Sequence, residues 1–300
     1  MTVIPFRARQ VLCQDMDQRL LGDYADYQRG EGLAASTIRN RESVLRTLGA
    51  VTGRPLLECT TADLRRFLGK QGLSNGSRRT YSTVLRAFFR YAVDEGLCDD
   101  DPTARLGTVR VPRGTPRPFS EADVDRLLAS GAYRRTRAMI LLGFYQGFRV
   151  SSIAAVHGHD VDLVSMTIRT VGKGRKERTL PLHPTIAELA TTMPRDDWWF
   201  PARGGRAGHV HPASVTNLIT NAKQRAGITN AQLTPHSLRH GFGTELVEAE
   251  VDIRVVQELM MHESLATTQI YTGVSERRKR DGIAALRGRA VPDRSGRRAA

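Results

Sequence analysis

Residues Thr234–Val274, TPHSLRHGFGTELVEAEVDIRVVQELMMHESLATTQIYTGV, decide how the rest of the chain is read. His236 and Arg239 stand three apart, His262 follows, and Tyr271 comes close behind. On a helix, residues i and i+3 share a face, so His236 and Arg239 can reach one point in space. A planar guanidinium fork and a proton-carrying imidazole suit a phosphate oxygen at that point. The tyrosine past the second histidine supplies an oxygen able to attack. Singly, each of these residues is more often a surface or packing residue. The reading rests on their order and spacing.

Composition points the same way. The 300-residue length favours two domains, and 40% hydrophobic with 25% charged residues is an ordinary globular balance. Lys and Arg number 45 against 31 Asp and Glu, a net charge of +14. Such a field attracts a polyanion, and nucleic acid is the first candidate. Cys13, Cys59 and Cys98 are far apart and odd in number, which argues against a disulfide framework or a structural metal. That usage suits a reducing compartment. The N-terminus MTVIPFRARQ has no long apolar core, and no apolar run approaches membrane-spanning length.

Working outward, residues 1–13 read as an N-terminal tail and 14–107 as a small all-α domain of four helices. Helical periodicity starts at Asp15, with Met16, Leu20, Tyr24 and Tyr27 recurring at threes and fours. Ser36 or Thr37, Thr60 or Thr61, and Ser74 or Ser77 offer caps for the next three helices. Residues 108–118 carry three Pro, one Gly and three Arg, which no helix survives, so they read as an extended linker. The second domain, 119–286, opens on Ser120 as an N-cap. A helix over 136–146 is followed by GFRVSSIAAV, which places Arg149 at a turn before a short helix. Val164–Thr170 alternates like a strand, and KERTLPL (176–182) returns as its partner across a Gly-Lys-Gly tip bearing Lys173. Helices follow over 184–193, 212–226, from Pro235, over 251–261 and over 264–270, with a last one over 275–286. Residues 287–300 are Arg-rich and read as a disordered basic tail.

Several of these stretches together resemble the tyrosine site-specific recombinases, the family of phage integrases and Xer proteins. TPHSLRH and TTQIYTGV match its H-x-x-R … H/W … Tyr signature, GFRVSSI its first arginine motif, and VGKGRKER its β-hairpin. Ser152 stands where the family usually has a carboxylate, and Met261 where a Gly usually precedes the second His. The resemblance covers roughly residues 14–286. It implies a mainly α, two-domain DNA clamp: a SAM-like four-helix core-binding domain, then an α+β catalytic domain with a small β-hairpin or sheet.

The resemblance also assigns parts. Tyr271 attacks phosphorus, Arg149 and Arg239 bind the non-bridging oxygens, and Lys173 protonates the leaving 5′ oxygen, with Lys176 as its local competitor. His236 assists proton transfer and His262 hydrogen-bonds the phosphate. The reaction passes through a 3′-phosphotyrosine and a Holliday junction, with no cofactor, metal or ATP implied. Arg39, Arg41, Arg78 and Arg79 at helix starts are candidate DNA contacts, together with Arg110, Arg113 and Arg117 of the linker. Arg175 of the hairpin and Arg203 and Arg206 of the loop PARGGRAGH complete the set. The expected partners are double-stranded DNA with short core sites, a homotetramer on paired sites, and an accessory DNA-bending or directionality protein, with no membrane. The expected place is the bacterial cytoplasm, at the nucleoid. A phage or mobile-element integrase is the leading reading, and a dozen leading residues leave no room for an arm-binding domain. A Xer recombinase resolving chromosome dimers is the alternative; a type IB topoisomerase or an inactive DNA-binding protein ranks lower.

Overall fold

The structure is a computed structural model that describes residues 6–111, 117–172, 177–204, 206–262 and 268, with side chains from residue 17 onward. Two compact units emerge, residues 1–114 and 115–300. The described residues are mainly helical, with one small antiparallel sheet.

Among its described residues the first unit holds four α-helices: α1 (Phe6–Gly30), α2 (Ala35–Thr52), α3 (Thr61–Leu68) and α4 (Asn75–Asp94). Helix α1 begins well ahead of the Asp15 start that periodicity suggested, and takes in residues expected as tail. Two caps are chosen locally. Thr60 accepts from the Asp63 N–H while Asp63 returns a bond to Thr60, and Ser74 accepts from the Ser77 N–H. Helix α2 departs from expectation: Ala34 is its N-cap residue, with no side-chain cap from Ser36 or Thr37. Leu45, Leu48, Leu64, Leu85, Phe88 and Phe89 are fully buried between the helices, each stabilising by about 1.5–3 kcal/mol. Tyr24 packs edge-on against Phe88, with ring centroids 5.3 Å apart.

The second unit starts with α5 (Glu121–Ala129), where Ser120 and Asp123 form the expected cap as a reciprocal box. Then come α6 (Arg134–Tyr145) and α7 (Val150–Ala154). The sheet runs β1 (Val161–Asp162), β2 (Thr167–Val171), β3 (Glu177–Pro181), all antiparallel. Buried Ile168 and Leu180 face each other in register. Strand β2 starts later than Val164 for a local reason. The Asp162 carboxylate accepts from the backbone N–H groups of Val164 and Ser165, at 2.8 and 3.1 Å, and folds those residues into a turn. Helices α8 (Pro184–Ala190), α9 (Pro212–Arg225), α10 (His236–Glu248) and α11 (Ile253–Leu259) complete the unit. Helix α11 starts at Ile253 because Asp252 caps it, accepting from the Arg254 N–H, and it ends at Leu259 with Met260 as its C-cap residue, inside the expected 251–261. The expected hairpin tip with Lys173, Arg175 and Lys176 lies outside the described residues. So do Arg113, the segment carrying Tyr271, and the expected helix 275–286. Trp199 is buried and Trp198 packs edge-on against His157 and His209.

Candidate active site

Helices α6 and α10 cross closely because glycines meet side chains at the crossing. A Cβ on Gly241 would lie 2.6 Å from the Phe144 ring and 3.0 Å from the Phe119 carbonyl; one on Gly143 would lie 3.1 Å from Leu238. The crossing sets the end of α6 beside the first turns of α10. There Gln146, almost fully buried, donates to the Pro181 carbonyl at 2.7 Å and accepts from the His183 N–H at 3.2 Å. That pins the end of α6 to the sheet. The chain then turns sharply at Gly147, whose φ is 64°. Phe148 plugs the core, and Arg149 is the N-cap residue of α7.

Gly147 is constrained twice. Its φ lies in the left-handed region, and a Cβ there would fall 2.4 Å from the Phe242 ring. Gly147→Ala should therefore cost about 2–4 kcal/mol from backbone strain and overpacking together. Thermal melting would show a clear drop in Tm, partly recovered when Phe242→Leu is added. An unchanged Tm would show that the ring yields freely.

Arg239 lies on α10 and is only 1% exposed. Its guanidinium donates to the carbonyls of Gly147 and Met260. It thus joins the α6–α7 turn to the end of α11. His236, one turn earlier, stays open at the surface. Its ring meets that of His240 edge-on, with centroids 4.7 Å apart. Partial desolvation of the ring first, then the charges of His240, Arg239 and Arg149, push the His236 pKa down to about 4. His262 is pushed down to about 4 as well, by burial and then by Arg239, Arg149, His236 and His240. Both imidazoles are neutral near pH 7, and each can accept one proton there. The positive charge of the cluster comes from the two arginines.

His262 is held on three sides. Its N–H donates to the Gln257 carbonyl at 3.0 Å, and its own carbonyl accepts from the Gln257 amide at 3.2 Å. Its Nδ1 shares a 2.9 Å hydrogen bond with the hydroxyl of fully buried Thr268. Met261, just before it, takes φ 48°, the left-handed backbone a glycine would adopt easily. This explains why a Gly suits that position, and the Gln257 pair holds His262 with Met261 in place. Ser152 is nearly buried on α7, in the wall of a cleft of about 570 Å³ shared with Val171, Gly172 and Glu177 at the root of the hairpin.

Of the predicted site residues, Arg149, His236, Arg239 and His262 are thus drawn into one electrostatic cluster. His240 belongs to it and was not singled out; its spacing of four from His236 was the available signal. Gln146 acts through contacts 35 and 37 residues away, which carry no sequence signal, while Gln257 and Thr268 meet His262 from five and six residues away. The candidate DNA-contact arginines divide. Arg41 donates to Tyr24 Oη at 3.3 Å and to buried Gln28 at 3.2 Å, tying α2 to α1. Arg78 donates to the Leu68 carbonyl at 3.0 Å and closes the end of α3. Arg39, Arg79, Arg110, Arg117, Arg203 and Arg206 are exposed, with Arg79 and Arg110 in one groove beside Arg86.

Residues 118–278 match the model of the phage integrase family. The chain is 33% identical over 278 residues to the tyrosine recombinase XerC of Corynebacterium efficiens, covering 85% of this chain and 87% of that protein. It is 34% identical over 275 residues to XerD of Proteus mirabilis, covering 83% and 86%. Among solved structures, a lambda integrase (75–356) dimer bound to a COC′ core site shares the fold, with TM-score 0.67, 17% identity, and 83% and 96% of the two chains covered. A basic cluster built from the family's signature motifs and a family match spanning the unit that carries it lead to one conclusion: this chain belongs to the phage integrase family and is a site-specific tyrosine recombinase, a DNA strand-exchanging enzyme.

Proposed function

We propose that this recombinase cuts and rejoins duplex DNA at short core sites through a 3′-phosphotyrosine on Tyr271, and that it serves a phage or mobile element as an integrase. The observation that carries the chemistry is the meeting of Arg149, Arg239, His236 and His262 in one cluster. A guanidinium has five N–H donors. Arg239 donates to the Gly147 and Met260 carbonyls, which fix its plane, and from that position binds a phosphate oxygen. Arg149 takes a second non-bridging oxygen. His262, held by Thr268 through Nδ1, hydrogen-bonds the phosphate.

The step balances without a metal. The Tyr271 oxygen forms a bond to phosphorus, its proton passing to neutral His236, while the bond to the 5′ oxygen breaks and Lys173 protonates that oxygen. The phosphotyrosine keeps the bond energy, so a partner strand's 5′-hydroxyl can reverse the reaction and exchange strands. Two exchanges in sequence pass through a Holliday junction. Two duplexes offer four strands, so the working unit is a tetramer on paired sites, with residues 275–286 reaching a neighbouring subunit. A DNA-bending or directionality protein accompanies it. The enzyme works at the nucleoid in the bacterial cytoplasm; among the described residues no helix is long and apolar enough to cross a membrane.

The test is a nicked core-site duplex that releases its short 5′ strand after cleavage and traps the covalent complex. A protein–DNA band should form at an undiminished rate in excess EDTA, because fixed guanidinium and ammonium groups neutralise the phosphate. Loss of the band in chelator, restored by a divalent ion, would overturn this chemistry.

The departures at Ser152 and Met261 from the family's usual residues support the integrase reading. A Xer role in chromosome-dimer resolution is favoured by relatives 33% and 34% identical over most of the chain. Deleting the gene separates the two. Loss of an excised circular element supports the integrase, and accumulation of dimeric chromosomes supports the Xer role.

A further inference from the structure

Away from the Arg149–Arg239 cluster, and sharing no residue with it, the second unit contains a basic cavity of about 490 Å³. It lies among the first turn of α6, residues 202–203 and 206–211, and the first turns of α9. Arg135, Arg203, Arg206, His211, Ser214 and Asn217 line it, and no Asp or Glu does. Arg135 is the built part. Its guanidinium donates to the Pro201 carbonyl at 3.1 Å and stands 5.9 Å from the Phe200 ring centre. Its Nε is buried and has no hydrogen-bond partner. A buried donor left unpaired costs about 1–3 kcal/mol, so the position asks for an acceptor. Burial and the neighbouring Arg203 charge also hold the Arg135 pKa below its ordinary value. Three guanidinium groups around one space, with no carboxylate among its lining residues, are relieved by an anion.

We propose that this cavity is a second phosphate site, which seats one non-scissile phosphodiester of the DNA on Arg135 with Arg203 and Arg206. The α9 N-terminus, capped by His211, adds its positive end. Ser214 and Asn217, three apart on α9, sit beside that phosphate with groups able to hydrogen-bond to the neighbouring nucleotide. The site rests on the recombinase reading and extends it: the scissile phosphate is held by one cluster and the register of the duplex by another. Phosphate contacts of this kind fix position.

The test uses the full chain and a set of core-site duplexes, each with a single neutral methylphosphonate at one non-scissile position. Affinity is measured for wild type, Arg135→Ala and Arg203→Ala. One position should weaken wild-type binding by on the order of tenfold while scarcely affecting Arg135→Ala, with the same coupling for Arg203→Ala; the salt slope of each variant should fall by about one. Coupling in Arg203→Ala, whose side chain is exposed, supports the site even where Arg135→Ala melts early. If no position couples to either arginine, the inference is overturned. It is also overturned if inorganic pyrophosphate raises the wild-type Tm in an Arg135-dependent way while no methylphosphonate couples, since the site then takes a free anion. Wild type on the unmodified nicked duplex gives the control. No covalent band there sinks the recombinase chemistry itself, whereas a band without coupling sinks the second phosphate site alone.

Discussion

Tyr271→Phe should bind a core-site duplex as tightly as wild type and form no covalent band on a nicked duplex. The change removes one oxygen and keeps the ring, so packing is nearly conserved while the nucleophile is gone. Three of the other tyrosines are poor replacements. Tyr24, Tyr91 and Tyr145 have pKa values raised by burial, which makes each a harder phenol to deprotonate. Tyr24 and Tyr91 are also packed into the helical unit, and the Tyr145 ring stacks on His183, with centroids 4.7 Å apart. Denaturing electrophoresis after incubation with the nicked substrate reads the result. A band from the Phe variant would place the nucleophile elsewhere and bring down the central assignment.

Lys173→Ala should lower cleavage of ordinary DNA by about 10²–10⁴-fold, the usual contribution of a general acid. The same variant should cleave nearly normally when the bridging 5′ oxygen is replaced by sulfur. A thiolate leaves without a proton, so the substitution removes the need that Lys173 meets. With His236 and His262 both neutral near pH 7, the cluster has no imidazolium ready to protonate the leaving oxygen. An ammonium delivered from outside the cluster is the natural donor. If Lys173→Ala binds DNA and stays inactive on both substrates, the lysine has another role, and Lys176 becomes the candidate acid.

The site was legible where its logic is local. A helix puts His236 and Arg239 on one face whatever surrounds it, and Ser120 with Asp123 spells a cap in four residues. What could not be read depends on partners distant in sequence. Arg41 and Arg78 look like exposed helix-start cations until Tyr24, Gln28 and the Leu68 carbonyl are seen to hold them. Strand β1 is two residues long, too short to show alternation. Arg149 acts on His236 and His262 from the far end of α6, beside a crossing where Gly143 and Gly241 let two helices touch, and neither glycine announces a contact by itself.

The burial of Arg239 has a consequence for descent. Its guanidinium binds two main-chain carbonyls, Gly147 and Met260, that come from separate stretches of the chain. Removing it would leave both carbonyls without that donor inside the fold, a loss felt even by a copy that never meets DNA. A lineage that gave up strand exchange and kept only DNA binding would be free to lose Tyr271, yet would still be held to arginine at 239. Degenerate copies should therefore be recognised by the missing tyrosine, with the buried arginine outlasting the activity it once served.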